Sequence, residues 1–448
     1  MMTQPLRRIL LCTVCALVIG VAGARAENKS PLEKLDLQDG DSVVFLGDSI
    51  THQRLYTQYV EDFFYTRFPE KRLRFHNAGV GGAKAWDALQ RFDRDVAAYK
   101  PKYVTVLLGM NDGRYQSYNE EIWRTYHDEM TTLIDRLVEI EATPILMTPT
   151  MYDSRAALAR KRKPAENYNS VLSYYGTWLR EVAVNNGYGF VDMWGPLNNL
   201  TLQQRKASPD FTMIKDSVHP DPPGQLVMAY AIIDDMGLRG AVSNIRVIVT
   251  PNGGTRANGR GGEATNVENA GGTLAFTWTG ASLPWVVPSE AQSGADLLKL
   301  GHRASREGLA VHGLHPGRYE LLIDDQAIGT FTDVQLARHI ELQGNDKTPQ
   351  YQQALQVAEL NKQRNEGPIN QLRREWVRFQ RWARTRQLSE ASPNNEELAA
   401  QLVELEKSLV GMEERIVAHE DAARKIEDEI FAVNQPKPRR YVLKRAEE

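Results

Sequence analysis

The chain has little cysteine, no membrane-length apolar run and no excess of basic charge. Of 448 residues only Cys12 and Cys15 are cysteine. Lys and Arg number 54 against 57 Asp and Glu, so nothing in the overall charge points to nucleic acid. The apolar run Ile9 to Val21 is too short for a comfortable span, which needs about 20 residues. What is present is ordinary for a folded chain: 42% apolar and 25% charged residues. That composition excludes a wholly disordered, collagen-like or multi-span membrane protein. The length exceeds one ordinary domain and suggests two or three.

The first segment reads as an address. Arg7 and Arg8 precede the apolar run, and Ala24-Arg25-Ala26 supplies small residues where a signal peptidase reads. A basic start, a short apolar core and an A-x-A site predict a secretory signal peptide over residues 1–26. Export to the periplasm or beyond the cell follows, with no membrane span after cleavage. Cleavage removes three arginines, no acid and both cysteines. The remainder then has no disulfide, no thiol nucleophile and no cysteine-bound metal.

Within a first domain of 27–242, short apolar runs alternate with amphipathic stretches from Asp41 to Gly237. The runs are Val43–Leu46, Leu73–His76, Tyr103–Leu108, Ile145–Thr148 and Phe190–Asp192. Helix candidates lie near 53–68, 84–99, 118–141, 167–186 and 223–236. Such alternation predicts an α/β fold, a parallel sheet covered by helices on both faces. Functional groups in these folds gather at the carboxyl ends of the strands. Four blocks sit at such positions: Gly47-Asp48-Ser49-Ile50-Thr51, Asn77 to Gly82, Gly109-Met110-Asn111-Asp112, and Asp216-Ser217-Val218-His219-Pro220.

Ester hydrolysis needs a nucleophile, a base, an orienting group and donors for the oxyanion. Ser49 fits the nucleophile at a strand-to-helix turn, although serine there is also a good helix N-cap. The turn is not the G-x-S-x-G elbow of the α/β-hydrolases. His219 fits the general base, and Asp216, three residues earlier, can orient its ring.

The four blocks, in this order and each at a strand end, resemble the SGNH (GDSL-type) hydrolase superfamily of esterases and lipases. The resemblance spans roughly residues 41–237. It implies a three-layer α/β/α, flavodoxin-like catalytic domain with no metal or other cofactor. It also implies an oxyanion hole built from the Ser49 N–H, a glycine N–H of the second block and the Asn111 amide. Aligned from Asn77 the glycine is Gly82, with Gly79 or Gly81 one slip away. His52, Trp86 and Tyr115 lie near these loops as candidate substrate contacts. Trp86 and Tyr115 can stack on a sugar or equally cover the core.

Two further regions follow. Residues 243–345 show alternating Leu274, Phe276, Trp278 and Tyr319, Leu321, Ile323. They predict a small accessory β-domain, with 251–272 as a loop and Asp324-Asp325 closing a hairpin. Its use is carbohydrate binding, substrate gating or packing alone. Residues 346–448 read as a helical hairpin ending in a basic, solvated tail. Its second arm carries a coiled-coil-like seam from Leu398 through Leu405 and Met412 to Ile430. The seam is best satisfied within one chain, and pairing two chains is the alternative.

The sequence therefore predicts an exported serine esterase working through an acyl-Ser49 intermediate, with an O-acetylated saccharide as the favoured substrate. A lipid or lysophospholipid ester is the enzymatic alternative. A non-catalytic carbohydrate-binding or scaffold protein is the alternative from another class.

Overall fold

Short apolar runs become strands buried on both faces, and their order fixes where a site can form. The structure, a computed structural model, describes residues 35–238 and 240–446. The expected signal peptide lies outside the described residues. The first domain begins with β1 (Ser42–Gly47), α1 (Ser49–His52) and α2 (Leu55–Arg67). It continues with β2 (Arg74–Gly79), α3 (Ala85–Asp95), β3 (Tyr103–Leu107), α4 (Glu120–Glu139) and β4 (Thr143–Met147). Helices α5 (Ser154–Ala159) and α6 (Tyr168–Asn186), strand β5 (Gly189–Val191), and helices α7 (Trp194–Gln204) and α8 (Pro222–Asp235) complete it. The sheet order is β2-β1-β3-β4-β5, parallel throughout. This is the flavodoxin-like order, with its switch point between β1 and β3. Helices α5 and α7 are not in the sequence expectation. α7 opens on Trp194-Gly195-Pro196, which masks helical periodicity.

The second region contains β6 (Ser243–Val249), β7 (Thr255–Arg260), β8 (Gly262–Ala270) and β9 (Thr273–Gly280). Two short helices, α9 (Gln292–Leu298) and α10 (Leu300–Ala304), lead to β10 (Glu307–His312). Then come β11 (Arg318–Ile323), β12 (Gln326–Thr332), α11 (Asp333–Arg338) and β13 (Ile340–Glu341). Two sheets share one apolar core, to which Val247, Leu309, Phe276, Trp278 and Leu321 contribute. The 251–272 segment is not a loop. It forms β7 and β8, whose side chains are largely exposed, so an apolar alternation never marked them. Asp324 and Asp325 both take positive φ and close the β11–β12 hairpin as expected.

The last region is α12 (Pro349–Arg364), a π-helical turn over 365–369, α13 (Asn370–Ala391), α14 (Glu396–Leu409) and α15 (Met412–Val433). The expected continuous seam breaks at Gly411, where φ is +72° and the chain turns left-handed. Helix α14 buries none of its residues. The expected solvated tail is also corrected. Residues Arg439–Arg445 form β14, paired between β11 and β9 inside the second sheet. Tyr441 and Leu443 point into that sheet's core while the basic residues mostly face out, so the charge run concealed a strand.

The helices also close over the first domain. Glu61 and Asp62 on α2 are buried, and α12 and the π-helical turn after it supply their partners. Asn361 Nδ2 donates to Asp62 at 2.8 Å, and Asn365 Nδ2 donates to Glu61 at 2.7 Å. On α3, the fully buried Asp95 accepts from Arg91 at 2.6 Å, from Arg373 of α13 at 3.0 Å and from His76 at 3.0 Å. Burial alone would raise the Asp95 carboxyl, but Arg373, His76 and Arg91 hold it well below the usual range.

Removing one partner of a buried ion pair strands the others, at a typical cost of about 3–5 kcal/mol. Asp95→Asn is therefore expected to lower unfolding free energy at pH 7 by about that amount, measured by denaturant titration. Because the folded carboxyl is depressed, its stabilisation is present above the unfolded value of about 4 and is lost as pH falls below it. The gap between wild type and variant should narrow in acid.

Candidate active site

Ser49 is the first residue of α1, and Asp48 takes the N-cap position by accepting the Ile50 N–H at 2.9 Å. The cap is thus not Ser49, whose hydroxyl is left for other work. Gly47 is required by contact, since a Cβ there would stand 2.1 Å from Thr51 Oγ1. His219 Nε2 lies 2.8 Å from Ser49 Oγ, and His219 Nδ1 lies 2.7 Å from Asp216 Oδ2. With Nδ1–H donating to the carboxylate, Nε2 is the acceptor for the serine proton. The other Asp216 oxygen accepts the backbone N–H groups of Val218 and His219 at 3.0 and 2.7 Å. Burial opposes ionisation of Asp216, but these bonds hold its carboxyl below the ordinary value. Gln225, fully buried at the start of α8, ties this turn to α2. Its Nε2 donates to Pro220 O at 3.2 Å, and its Oε1 accepts the Tyr56 N–H at 3.1 Å.

The second block resolves the choice among its glycines. Gly79 ends β2, and its N–H is taken by Asn77 Oδ1 at 3.0 Å. Gly82 has φ +69°, which favours glycine, and its N–H donates to no protein group among the described residues. The Ser49 N–H likewise has no protein acceptor among the described residues. Asn111 Nδ2 donates to Ala83 O at 3.1 Å and approaches Asp48 Oδ2 at 3.3 Å. The amide is therefore seated between the neighbours of Ser49 and Gly82. Tyr115 fixes its orientation by donating to Asn111 Oδ1 at 3.0 Å. Burial, reinforced by the Asp112 charge, pushes Asp48 up to about 7. Asp112 itself is pushed up to about 6 by burial, and accepts the Ala85 and Gly109 N–H groups at 2.8 and 2.9 Å.

A cavity of about 670 Å³ opens beside Gly82 and Asn111. Trp86 and Tyr115 line it, and Tyr115 is 38% exposed with its ring packed on Tyr168 at a centroid distance of 5.1 Å. His52 is not brought there. Its Nδ1 sits 3.2 Å from Gly79 O, and burial pushes the ring down to about 4, so it is a neutral packing group at the end of α1. The sequence reading missed Asp112 and Gln225, because a buried acid and a buried amide on ordinary helical or turn positions carry no spacing signal. It also missed Gln380 and Arg384 of α13, which reach the second block from about 300 residues away.

A sequence model of the GDSL-like Lipase/Acylhydrolase family matches residues 45–227. Those residues include all four blocks and the three hydrogen-bonded side chains. The match covers most of the first domain and under half of the chain. The match and an acetylxylan esterase relative support an ester-bond hydrolase. The GDSL-like domain is similar to an acetylxylan esterase of Geobacillus stearothermophilus, 25% identical over 226 residues. That alignment covers 45% of this chain and 97% of the relative. The whole chain is similar to the solved structure of BT4096, a gut microbial diltiazem-metabolizing enzyme, with 27% identity and a TM-score of 0.79. That match covers 93% of this chain and all of the other, so the β-domain and the helices recur beside the GDSL-like domain.

Removing one oxyanion donor typically costs 10²–10³ in turnover. Asn111→Ala is expected to lose on the order of 10²–10³ in kcat with KM little changed. Turnover within about threefold of wild type would remove Asn111 from the reaction.

Proposed function

We propose that the protein is an exported acetyl esterase of O-acetylated carbohydrate, acting through an acyl-Ser49 intermediate. The observation that carries the reading is the unbroken relay from Asp216 through His219 to Ser49, at 2.7 and 2.8 Å. His219 Nε2 takes the serine proton as Ser49 Oγ attacks the ester carbonyl. The developing oxyanion is met by the Ser49 and Gly82 N–H groups and the Asn111 amide. Collapse expels the alcohol, which leaves with the proton held on His219. A water then attacks the acyl carbonyl, giving its proton to His219, and acetate departs as Ser49 regains its hydrogen. Asp216 keeps Nδ1 protonated throughout and stabilises the imidazolium.

The substrate class rests on the cavity and on the relative. Beside Trp86 and Tyr115 the lining includes the polar and charged Lys84, Arg114, Thr125 and Glu129. Such walls suit hydroxyl-rich saccharide, with aromatic faces for its rings, better than a long acyl chain. The acetylxylan esterase relative acts on an acetylated polysaccharide, as its name states. Export is read from the N-terminal segment alone.

The test is hydrolysis of short-chain aryl esters, acetylated xylan and long-chain lipids by full-length protein beside Ser49→Ala. The expected result is release of acetate from the aryl ester and the xylan, abolished by Ser49→Ala. Preference for long acyl chains would overturn the saccharide reading, and no serine-dependent hydrolysis of any ester would overturn the acyl-enzyme mechanism.

A further inference from the structure

The oxyanion-side loop of the GDSL-like domain is not held by that domain alone. Gln380 and Arg384 stand four residues apart on α13, on one helix face, and each reaches one carbonyl of consecutive glycines. Gln380 Nε2 donates to Gly81 O at 2.9 Å, and Arg384 Nη2 donates to Gly82 O at 2.6 Å. The Gly81 carbonyl belongs to the same peptide plane as the Gly82 N–H. In a trans peptide the two groups point in opposite directions. A donor that fixes Gly81 O from the helix side therefore aims the Gly82 N–H to the other side. A hydrogen bond on that carbonyl also polarises the peptide and strengthens its N–H as a donor.

The clamp is itself held in place. Arg384 forks onto Asp87 of α3, with Nε and Nη2 each 2.7 Å from a carboxylate oxygen. Asp87 is buried, and its carboxylate also accepts the Lys84 N–H at 2.8 Å. Gln380 is 6% exposed. The glycines need such support, because Gly81 would meet nothing within 4 Å of an added Cβ and Gly82 would meet only Arg384 at 4.0 Å. Gly81 and Gly82 have no side chains of their own to lock them, and glycine leaves the backbone its widest freedom.

We infer that Gln380 and Arg384 are positioning residues for the oxyanion hole, so that the C-terminal helices complete the active site rather than decorate it. The inference rests on the esterase reading and on Gly82 as an oxyanion donor. Neither side chain touches the reacting atoms. Each acts through the glycine loop, and the residues lie outside the segment that matches the family.

The experiment compares full-length wild type, Gln380→Met, Arg384→Met and Arg384→Lys on an aryl acetate. Inhibition by a trifluoromethyl ketone, which forms a tetrahedral adduct on Ser49, is measured alongside, with the melting temperature of each variant. Misplacing a catalytic donor by about 1 Å can cost 10²-fold. The expected result is a fall in kcat of about 10- to 100-fold for Gln380→Met and Arg384→Met. KM should stay within about twofold and the inhibitor constant should rise in parallel with the loss. Arg384→Lys, which keeps the charge beside Asp87 and one donor, should retain more activity than Arg384→Met. A raised KM with unchanged kcat and inhibitor constant would overturn the inference in favour of a substrate contact. So would loss of activity only in proportion to loss of folded protein. Where Gln380→Met does not fold, the Lys and Met variants of Arg384 carry the same comparison. Failure of wild type to show any Ser49-dependent turnover is a separate result, which overturns the esterase reading and this inference with it.

Discussion

One buried carboxylate connects the parts of this molecule. Asp95 holds Arg91 from its own helix and Arg373 from α13, all three side chains fully buried. Arg91 in turn donates to Ala78 O at 2.7 Å and to Gly47 O at 3.3 Å. Those carbonyls lie at the carboxyl ends of β2 and β1, just before the glycine loop and Ser49. An arginine can be buried this way only when its charge is matched, as the Asp95 carboxylate matches these two. The cost of desolvating three charges is met by one network, which joins the helical hairpin to the two strands that launch the site.

From that anchor the order of the site follows. Parallel strands deliver their loops to one end, and β1, β2 and β3 are adjacent there. Ser49, the glycine loop and Asn111 therefore start out as neighbours, and short polar contacts tune them. Asp48 caps α1 so that Ser49 need not, Asn77 occupies the Gly79 N–H, and Tyr115 turns the Asn111 amide. The fourth block is brought in from the far side by α8, with Gln225 as the brace. Each of these bonds removes a competing orientation rather than adding large stability, which is what preorganisation of a reaction centre requires.

The β-sandwich and the helices are woven together, not appended in series. The chain leaves the sandwich after β13, covers α2 and α3 with helices, and returns to place β14 between β11 and β9. The central strand of the second sheet is contributed by β14, which follows the helices in the chain. The hairpin is thereby tied at both ends, which gives Gln380 and Arg384 a rigid base from which to hold a glycine loop.

Legibility followed from whether a residue's role is local. Ser49, Asp216, His219, Asn111 and the parallel sheet were readable because strand-end blocks and a three-residue Asp-to-His spacing are local patterns. The Asp324-Asp325 turn was readable for the same reason. The break at Gly411, the exposed strands β7 and β8, and β14 in place of a tail were not, because polar edge strands and basic strands share their composition with loops. His52 looked like a site residue by proximity in sequence, yet the turn of α1 points it at a backbone carbonyl. The sequence by itself determined which side chains gather around Ser49, since they come from short blocks at the strand ends of one sheet. Only the tertiary structure decided that residues 380 and 384 attend the same site, because a contact across about 300 residues leaves no periodicity for a sequence to display.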